Sequence, residues 1–276
     1  MERIKQALEK AEAERQHSGA AESIVETLAS APRSIPAAPS QPVSSDFRFE
    51  VTRTVSVDSK HLERHRIVSS LSDDAAAQSY GLLASRVVDQ AIVNGWNSIA
   101  VVSPLDGDGK SVTTLNLAFR LADSPKRTCL VVDLDFRRPR IAEYLGVAPE
   151  SGVEDVLLGR AEMSDALFSP DTLRLSILPV REPSEHSAGM IDSLAAAQLA
   201  QEVKTRYANR LVLFDLPPVL GAGDTVNFLR NVDAVLLVAS SGKTSEAALK
   251  ETVNALAGNR LMGCVLNGAE DVITAY

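Results

Sequence analysis

Cysteine is almost missing from this chain of 276 residues. The two present, Cys129 and Cys264, each sit in an apolar run ("TCLVV", "MGCVLN") where a buried, reduced thiol is the ordinary reading. A disulfide framework is thereby excluded, and a reducing compartment fits. Histidine is scarce too: His17, His61, His65 and His186 stand at no zinc-ligand spacing with the cysteines, and His61 and His65, four apart, read as solvent-facing. No Ser-His-Asp constellation is present. No apolar run approaches the roughly 20 residues that span a bilayer, and the charged start "MERIKQALEKAEAER" does not read as a signal peptide. The expectation is a cytoplasmic protein that meets the inner membrane peripherally, through a partner. Positive charge is in deficit, 28 Lys and Arg against 36 Asp and Glu, so a net charge of -8 argues against a general affinity for nucleic acid.

What the chain does have is a core-forming body with something attached. Its apolar content of 45% supports a substantial core. Residues 1–16 read as a helix rich in Glu, Lys, Ala and Gln, and residues 17–46 as a flexible linker of Ser, Ala and Pro. Residues 47–276 then form the main domain. It opens on an edge strand, "FEVTRTVSV", and a helix, "DDAAAQSYGLLASRVVDQAI", with Tyr80, Leu83, Val87 and Ile92 on its apolar side. Six short aliphatic runs follow, at 98–103, 128–133, 175–180, 210–215, 233–239 and 261–267, each reading as a strand covered on both faces. Helical patterns at 111–122, 190–207, 223–230 and 245–258 alternate with them, which predicts an α/β fold with a doubly wound, mostly parallel sheet.

Such sheets bind ligands at the carboxyl ends of their strands. After the run at 98–103 comes "PLDGDGKS", which fits the end of the phosphate-loop pattern G-x-x-x-x-G-K-[ST] but has Pro104 in place of its first glycine. Gly107, Asp108, Gly109, Lys110, Ser111 and Val112 form the expected nucleotide cradle. The glycines let backbone N–H groups approach an anion, Lys110 neutralises phosphate, and Ser111 offers a hydroxyl to Mg²⁺. Two further strands end in Asp133 with Asp135 and in Asp215, supplying the one or two carboxylates that a water-rich Mg²⁺ site requires. One aspartate there is an ordinary turn cap, and three together point to ATP or GTP with Mg²⁺.

These residues resemble the bacterial tyrosine kinases, P-loop autokinases of exopolysaccharide and capsule export with deviant Walker motifs. The likeness spans about residues 75–270. The family's first loop reads P-G-x-G-K-[ST], here Asp106 to Ser111 with aspartate for proline. Its second motif, D-x-D-x-R-x-P, is similar to Asp133, Asp135, Arg137 and Pro139, and its D-x-P-P motif to Asp215, Pro217 and Pro218. The resemblance implies an ATP-dependent tyrosine autokinase that regulates polysaccharide synthesis and export. It implies that Lys110, Asp133, Asp135 and Asp215 are catalytic, that Ser111, Asp135 and Asp215 serve the metal, and that Asn267 contacts the base. The implied partner is the cytoplasmic tail of an inner-membrane co-polymerase or chain-length regulator.

Three departures qualify that picture. The family's tyrosine-rich tail is represented only by Tyr276, which reads equally as a phospho-acceptor and as an ordinary exposed residue, while Tyr80, Tyr144 and Tyr207 read as packed. The E-x-x-R-x-x-R assembly motif has become Gln78, Gly81 and Ala84, which removes the basis of a family-type ring and leaves homo-oligomerisation open. Leu105 stands where partition-type ATPases carry a signature lysine. A nucleotide-binding interaction module without tyrosine transfer therefore stands beside the kinase reading. Asp106 and Asp108 would repel phosphate unless they point outward or toward metal.

Overall fold

The computed structural model describes residues 52–68, 75–125, 127–171, 174–184, 187–206, 210–221 and 223–269. The expected helix 1–16, the linker 17–46, His17, His186, Tyr207 and Tyr276 lie outside the described residues. The described chain runs β1 (Arg53–Val55), α1 (Ser59–Arg64), α2 (Ala75–Asn94), β2 (Ser98–Val102), α3 (Lys110–Ala122) and β3 (Thr128–Asp133). Three short helices follow, α4 (Ile141–Leu145), α5 (Val153–Leu157) and α6 (Met163–Ala166), then β4 (Phe168–Pro170) and β5 (Leu175–Leu178). The remainder is α7 (Ser187–Ile191), α8 (Leu194–Thr205), β6 (Arg210–Asp215), α9 (Gly223–Phe228), β7 (Ala234–Ser240), α10 (Glu246–Ala255) and β8 (Leu261–Asn267).

The strands form one sheet in the order β1-β4-β5-β3-β6-β2-β7-β8. Every neighbouring pair is parallel except β4 with β5. The expected doubly wound, mostly parallel sheet is borne out. Its central strands are buried on both faces, so alternate residues feed two separate cores. Leu130, Val132 and Phe214 pack on one side with Leu199 of α8 and Phe228 of α9. Cys129, Val131 and Leu213 pack on the other with Leu115 and Leu121 of α3. Each fully buried Leu or Phe of this kind contributes about 1.5–3 kcal/mol, which is why continuous aliphatic runs specify these strands.

Several expectations need correction. Ile92, assigned to the buried side of α2, is 61% exposed, and the residues that face the core are Ala77, Ala84, Val87 and Ala91. Three alanines seven apart make a flat stripe that lets α2 lie close to α3, and a large side chain there would hold the helices apart. Strand β8 lies at the sheet edge instead of being covered on both faces, so Leu266 is 59% exposed and Cys264 is exposed. Cys129 is buried as expected, and burial pushes its thiol up to about 12. The helix expected over 190–207 is broken into α7 and α8 at Ser193, whose side chain caps α8 by accepting from the Ala196 N–H at 3.1 Å.

Candidate functional site

At the carboxyl end of β2 the chain turns sharply into α3. Gly107 (φ 83°) and Gly109 (φ 92°) adopt the left-handed conformation, which costs an L side chain roughly 1–2 kcal/mol. Gly109 has a second reason to be glycine: a Cβ there would stand 1.9 Å from the Asn267 amide nitrogen. Asn267, the last residue of β8, reaches across to donate to the Asp108 carbonyl at 3.1 Å. The residue expected to contact a base is thus laid against the phosphate loop.

The two suspect carboxylates are both partnered. Asp108 is buried, accepting from the Leu105 N–H at 2.8 Å and from the Thr244 hydroxyl at 2.7 Å. It therefore ties the loop to the turn after β7. Asp106 lines the cavity with its partner Arg138, with which it pairs at 3.1 Å. Neither leaves an unpaired negative charge aimed at an anion.

Beneath the loop, the sheet register sets Asp133 of β3 directly beside Asp215 of β6. The Lys110 ammonium donates to Asp135 at 2.6 Å and lies 3.8 Å from Asp215. Ser111 donates its hydroxyl to Asp215 at 2.6 Å, and the Thr114 hydroxyl donates to the other oxygen at 3.1 Å. Asp133 accepts from the Asp135 N–H at 3.0 Å through one oxygen, while the other is buried with no hydrogen-bond partner. All four ionisable groups are nearly or wholly buried.

Charge balance there is tight. Burial works against the charge on Lys110, yet the Asp215 and Asp135 carboxylates outweigh it and hold the ammonium above the usual lysine range. Asp133 is pushed well above the ordinary carboxylate range by burial and then by the Asp215 and Asp135 charges. Asp215 is raised as well, by burial, against the opposing pull of Lys110 and the Ser111 hydroxyl. One cation thus faces three carboxylates, a negative excess with an orphan oxygen, and this donor set suits a divalent cation bringing phosphates and waters. No group of three His, Cys, Asp or Glu side chains converges as a self-sufficient metal cage among the described residues.

A cavity of about 890 Å³ opens over this floor. Lys110, Ser111 and Asp135 line it, whereas Asp133 and Asp215 lie behind them. Gly107, Gly109, Val112 and Asn267 also reach the cavity, whereas Asp108, expected in the nucleotide cradle, does not line it and instead holds the loop to Thr244. Three contributors escaped the sequence reading. Thr114 sits one helical turn after Lys110, a spacing that marks it as a candidate. Thr244 carries no comparable local signal, and neither does Arg66, which lines the cavity from a left-handed backbone position (φ 60°). His61 and His65 are half-buried instead of solvent-facing: His61 bonds the Glu143 carbonyl at 2.8 Å, and the His65 ring stacks on Tyr144 at 5.1 Å.

A strand, a glycine-turned loop with Lys-Ser at the helix start, and aspartates ending two neighbouring strands define a P-loop nucleotide-binding domain with deviant Walker motifs. A scan of protein-family models gives no match. Among curated proteins, the tyrosine-protein kinase YwqD of Bacillus subtilis is 28% identical over 210 residues, 75% of this chain and 87% of YwqD. The succinoglycan biosynthesis transport protein ExoP of Rhizobium meliloti is 29% identical over 172 residues, 61% of this chain but only 22% of ExoP. Among solved structures, the BceF tyrosine kinase domain superimposes with a TM-score of 0.64 at 26% identity, covering 78% of this chain and 91% of that one. The septum site-determining protein MinD of Pyrococcus horikoshii, complexed with Mg-ADP, gives 0.52 at 25% identity, covering 62% and 69%. The chain is thus similar to bacterial tyrosine-protein kinases and to a succinoglycan biosynthesis transport protein. No helix among the described residues is long and apolar enough to cross a membrane.

Proposed function

We propose that the protein binds ATP with Mg²⁺ and transfers the γ-phosphoryl group to tyrosine, acting as an autokinase-like regulator of exopolysaccharide synthesis and export. The observation that carries this reading is the convergence of Lys110, Ser111, Asp135 and Asp215 beneath a glycine-turned loop. Mg-ATP supplies the phosphoryl group and neutralises its charge. Lys110 and the loop N–H groups hold the phosphates, and Ser111 with Asp215 offers oxygens to the metal. A tyrosine hydroxyl forms the new P–O bond as the bond to ADP breaks, and its proton passes to Asp135, the carboxylate that faces the cavity. Asp133 lies behind and holds Asp135 through the latter's backbone N–H. Tyr276 is the acceptor this reading assigns. The partner it implies is the cytoplasmic part of an inner-membrane co-polymerase, which would place the protein peripherally at that membrane.

A second reading, nucleotide-dependent gating without tyrosine transfer, is favoured by one observation. Ala84, at the last position of the altered assembly motif, is 7% exposed and packs into its own subunit's core. The position is therefore closed to a charged contact with a neighbouring subunit. Labelled ATP and Mg²⁺ separate the two, with phosphotyrosine mapped in the presence and absence of the co-polymerase tail. Label on Tyr276 that disappears in Lys110→Ala supports the kinase. ATP turnover without phosphotyrosine supports the module.

A further inference from the structure

The end of the sheet remote from the nucleotide cavity carries a surface of another kind. Helix α2 closes there with the Trp96 N–H donating to the Ala91 carbonyl at 2.8 Å, and Gly95 at φ 69° turns the chain into β2. On that last turn Ile92 is 61% and Val93 80% exposed, and the half-buried Trp96 follows them. A single exposed aliphatic is ordinary, whereas two in succession next to a tryptophan make an apolar tip that the described residues do not cover. The tip stands at the end of a row of arginines. Register places Thr128 beside Arg210, Cys129 beside Leu175 and Ser98 beside Val212. Arg174, Arg127, Arg210 and Trp96 therefore lead into four neighbouring strands, β5, β3, β6 and β2, spaced about 4.8 Å apart, and Arg260 leads into β8 beyond. Arg174 and Arg260 are exposed, Arg127 and Arg210 half-buried. The carboxylates at this end are already engaged: Asp233 with Lys204, Glu202 with Arg206 and Asp123 with Arg120, while Asp58 and Asp171 accept from the Lys60 and Val57 N–H groups. The arginine row leaves this face with a positive excess, on a chain whose net charge is -8.

We propose that this end of the sheet docks directly on a bilayer of anionic phospholipid, with Ile92 and Val93 entering the headgroup boundary, Trp96 at its edge and the arginines meeting lipid phosphates. Aliphatic side chains gain by leaving water for the acyl boundary, tryptophan favours the interface itself, and each arginine near an anionic leaflet adds attraction. Guanidinium suits phosphate in particular, because its planar fork donates two parallel hydrogen bonds to phosphate oxygens. Nucleic acid or an acidic protein would use the arginines and leave the apolar tip in water, whereas a bilayer uses both. Docking this way leaves the nucleotide cavity, at the opposite ends of the same strands, open to the aqueous side. The inference needs neither tyrosine transfer nor a co-polymerase.

The test exploits Trp96, the chain's one tryptophan. The full chain is mixed with vesicles of phosphatidylcholine alone or with about one-third phosphatidylglycerol, and binding is followed by sedimentation and by tryptophan emission. The expected result is binding to the anionic vesicles with a blue shift of the emission, little binding to phosphatidylcholine, and weakening as salt rises. Val93→Asp and Arg174→Glu, both at exposed positions outside the nucleotide site, should each weaken vesicle binding at least about fivefold, with Tm and the Mg-ATP thermal shift unchanged. Absence of binding to the anionic vesicles overturns the proposal. So does binding that leaves Trp96 emission unchanged or is equally strong in both variants, since another part of the chain would then make the contact. Binding of double-stranded DNA or polyglutamate in place of the vesicles overturns it too, by assigning the arginines to a different polyanion. The emission and salt series of the wild type stand without either variant.

Discussion

Carboxylates at opposite ends of one sheet, a half-buried one at the amino end and a buried set at the carboxyl end, have been built to opposite rules. At the amino end of β2, Asp233 is saturated: it pairs with Lys204 and accepts from the Asn97 N–H at 3.0 Å, the Ser98 N–H at 3.1 Å and the Ser98 hydroxyl at 2.9 Å. Burial alone would raise its pKa, but Lys204 and these donors prevail and hold it below the ordinary carboxylate range. At the carboxyl end, Asp133 and Asp215 are raised by burial, and one oxygen of Asp133 has no partner. A cluster that serves stability fills every valence. A cluster kept short of positive charge is held ready for a ligand that brings it.

The comparison is broken most severely at Lys110. Lys110→Ala strands three carboxylates in the interior, so denaturant unfolding near neutral pH should show a loss of about 3–5 kcal/mol. Phosphotransfer, measured with labelled ATP, should fall at least about 100-fold. At the other end, Asp233→Ala leaves Lys204 and three donors unpaired and should cost about 2 kcal/mol with nucleotide affinity unchanged. Its pH dependence has a fixed sign. A lowered folded pKa means that the stabilising contribution is present above the unfolded carboxyl value of about 4 and is lost as pH falls through the folded value.

Asp133→Asn sharpens the contrast in the opposite direction. It retains an acceptor for the Asp135 N–H and removes a repelled charge, so stability near neutral pH should rise by about 1 kcal/mol while phosphotransfer declines. Because the folded pKa of Asp133 is raised, its protonated form stabilises the protein fully below the unfolded value of about 4, and that contribution is lost as pH rises through the folded value. The advantage of the asparagine variant should therefore shrink on acidification, which melting curves of both proteins across the acid range will show. The mildest change is Thr244→Val, which releases one oxygen of Asp108 and should weaken Mg-ATP binding about fivefold by calorimetry.

The sequence showed the nucleotide end of the sheet more clearly than the periphery. Strands such as Thr128–Asp133 and Arg210–Asp215 are buried on both faces, so their composition alone announces them, and Asp133, Asp135 and Asp215 fall at their ends by construction. Between residues 141 and 170 the short elements α4, α5, α6 and β4 went unseen, because three to five residues cannot display a helical or strand period. The buried side of α2 is obscure in the sequence for a related reason: a stripe of alanines makes the contact, while the large Ile92 faces outward. Side-chain direction in the loop was illegible as well. Asp106 and Asp108 looked hostile to phosphate until their partners, Arg138 and Thr244, were found 32 and 136 residues away along the chain. Arg66 was hidden more deeply, since only the backbone shows that an arginine occupies a glycine's place.

The most direct test of the two-ended account is calorimetric titration of Mg-ATP into the wild type, Lys110→Ala and Asp233→Ala. The account predicts binding of equal affinity in the wild type and Asp233→Ala, and none in Lys110→Ala. Failure of the wild type to bind, or equal binding by Lys110→Ala, would contradict it.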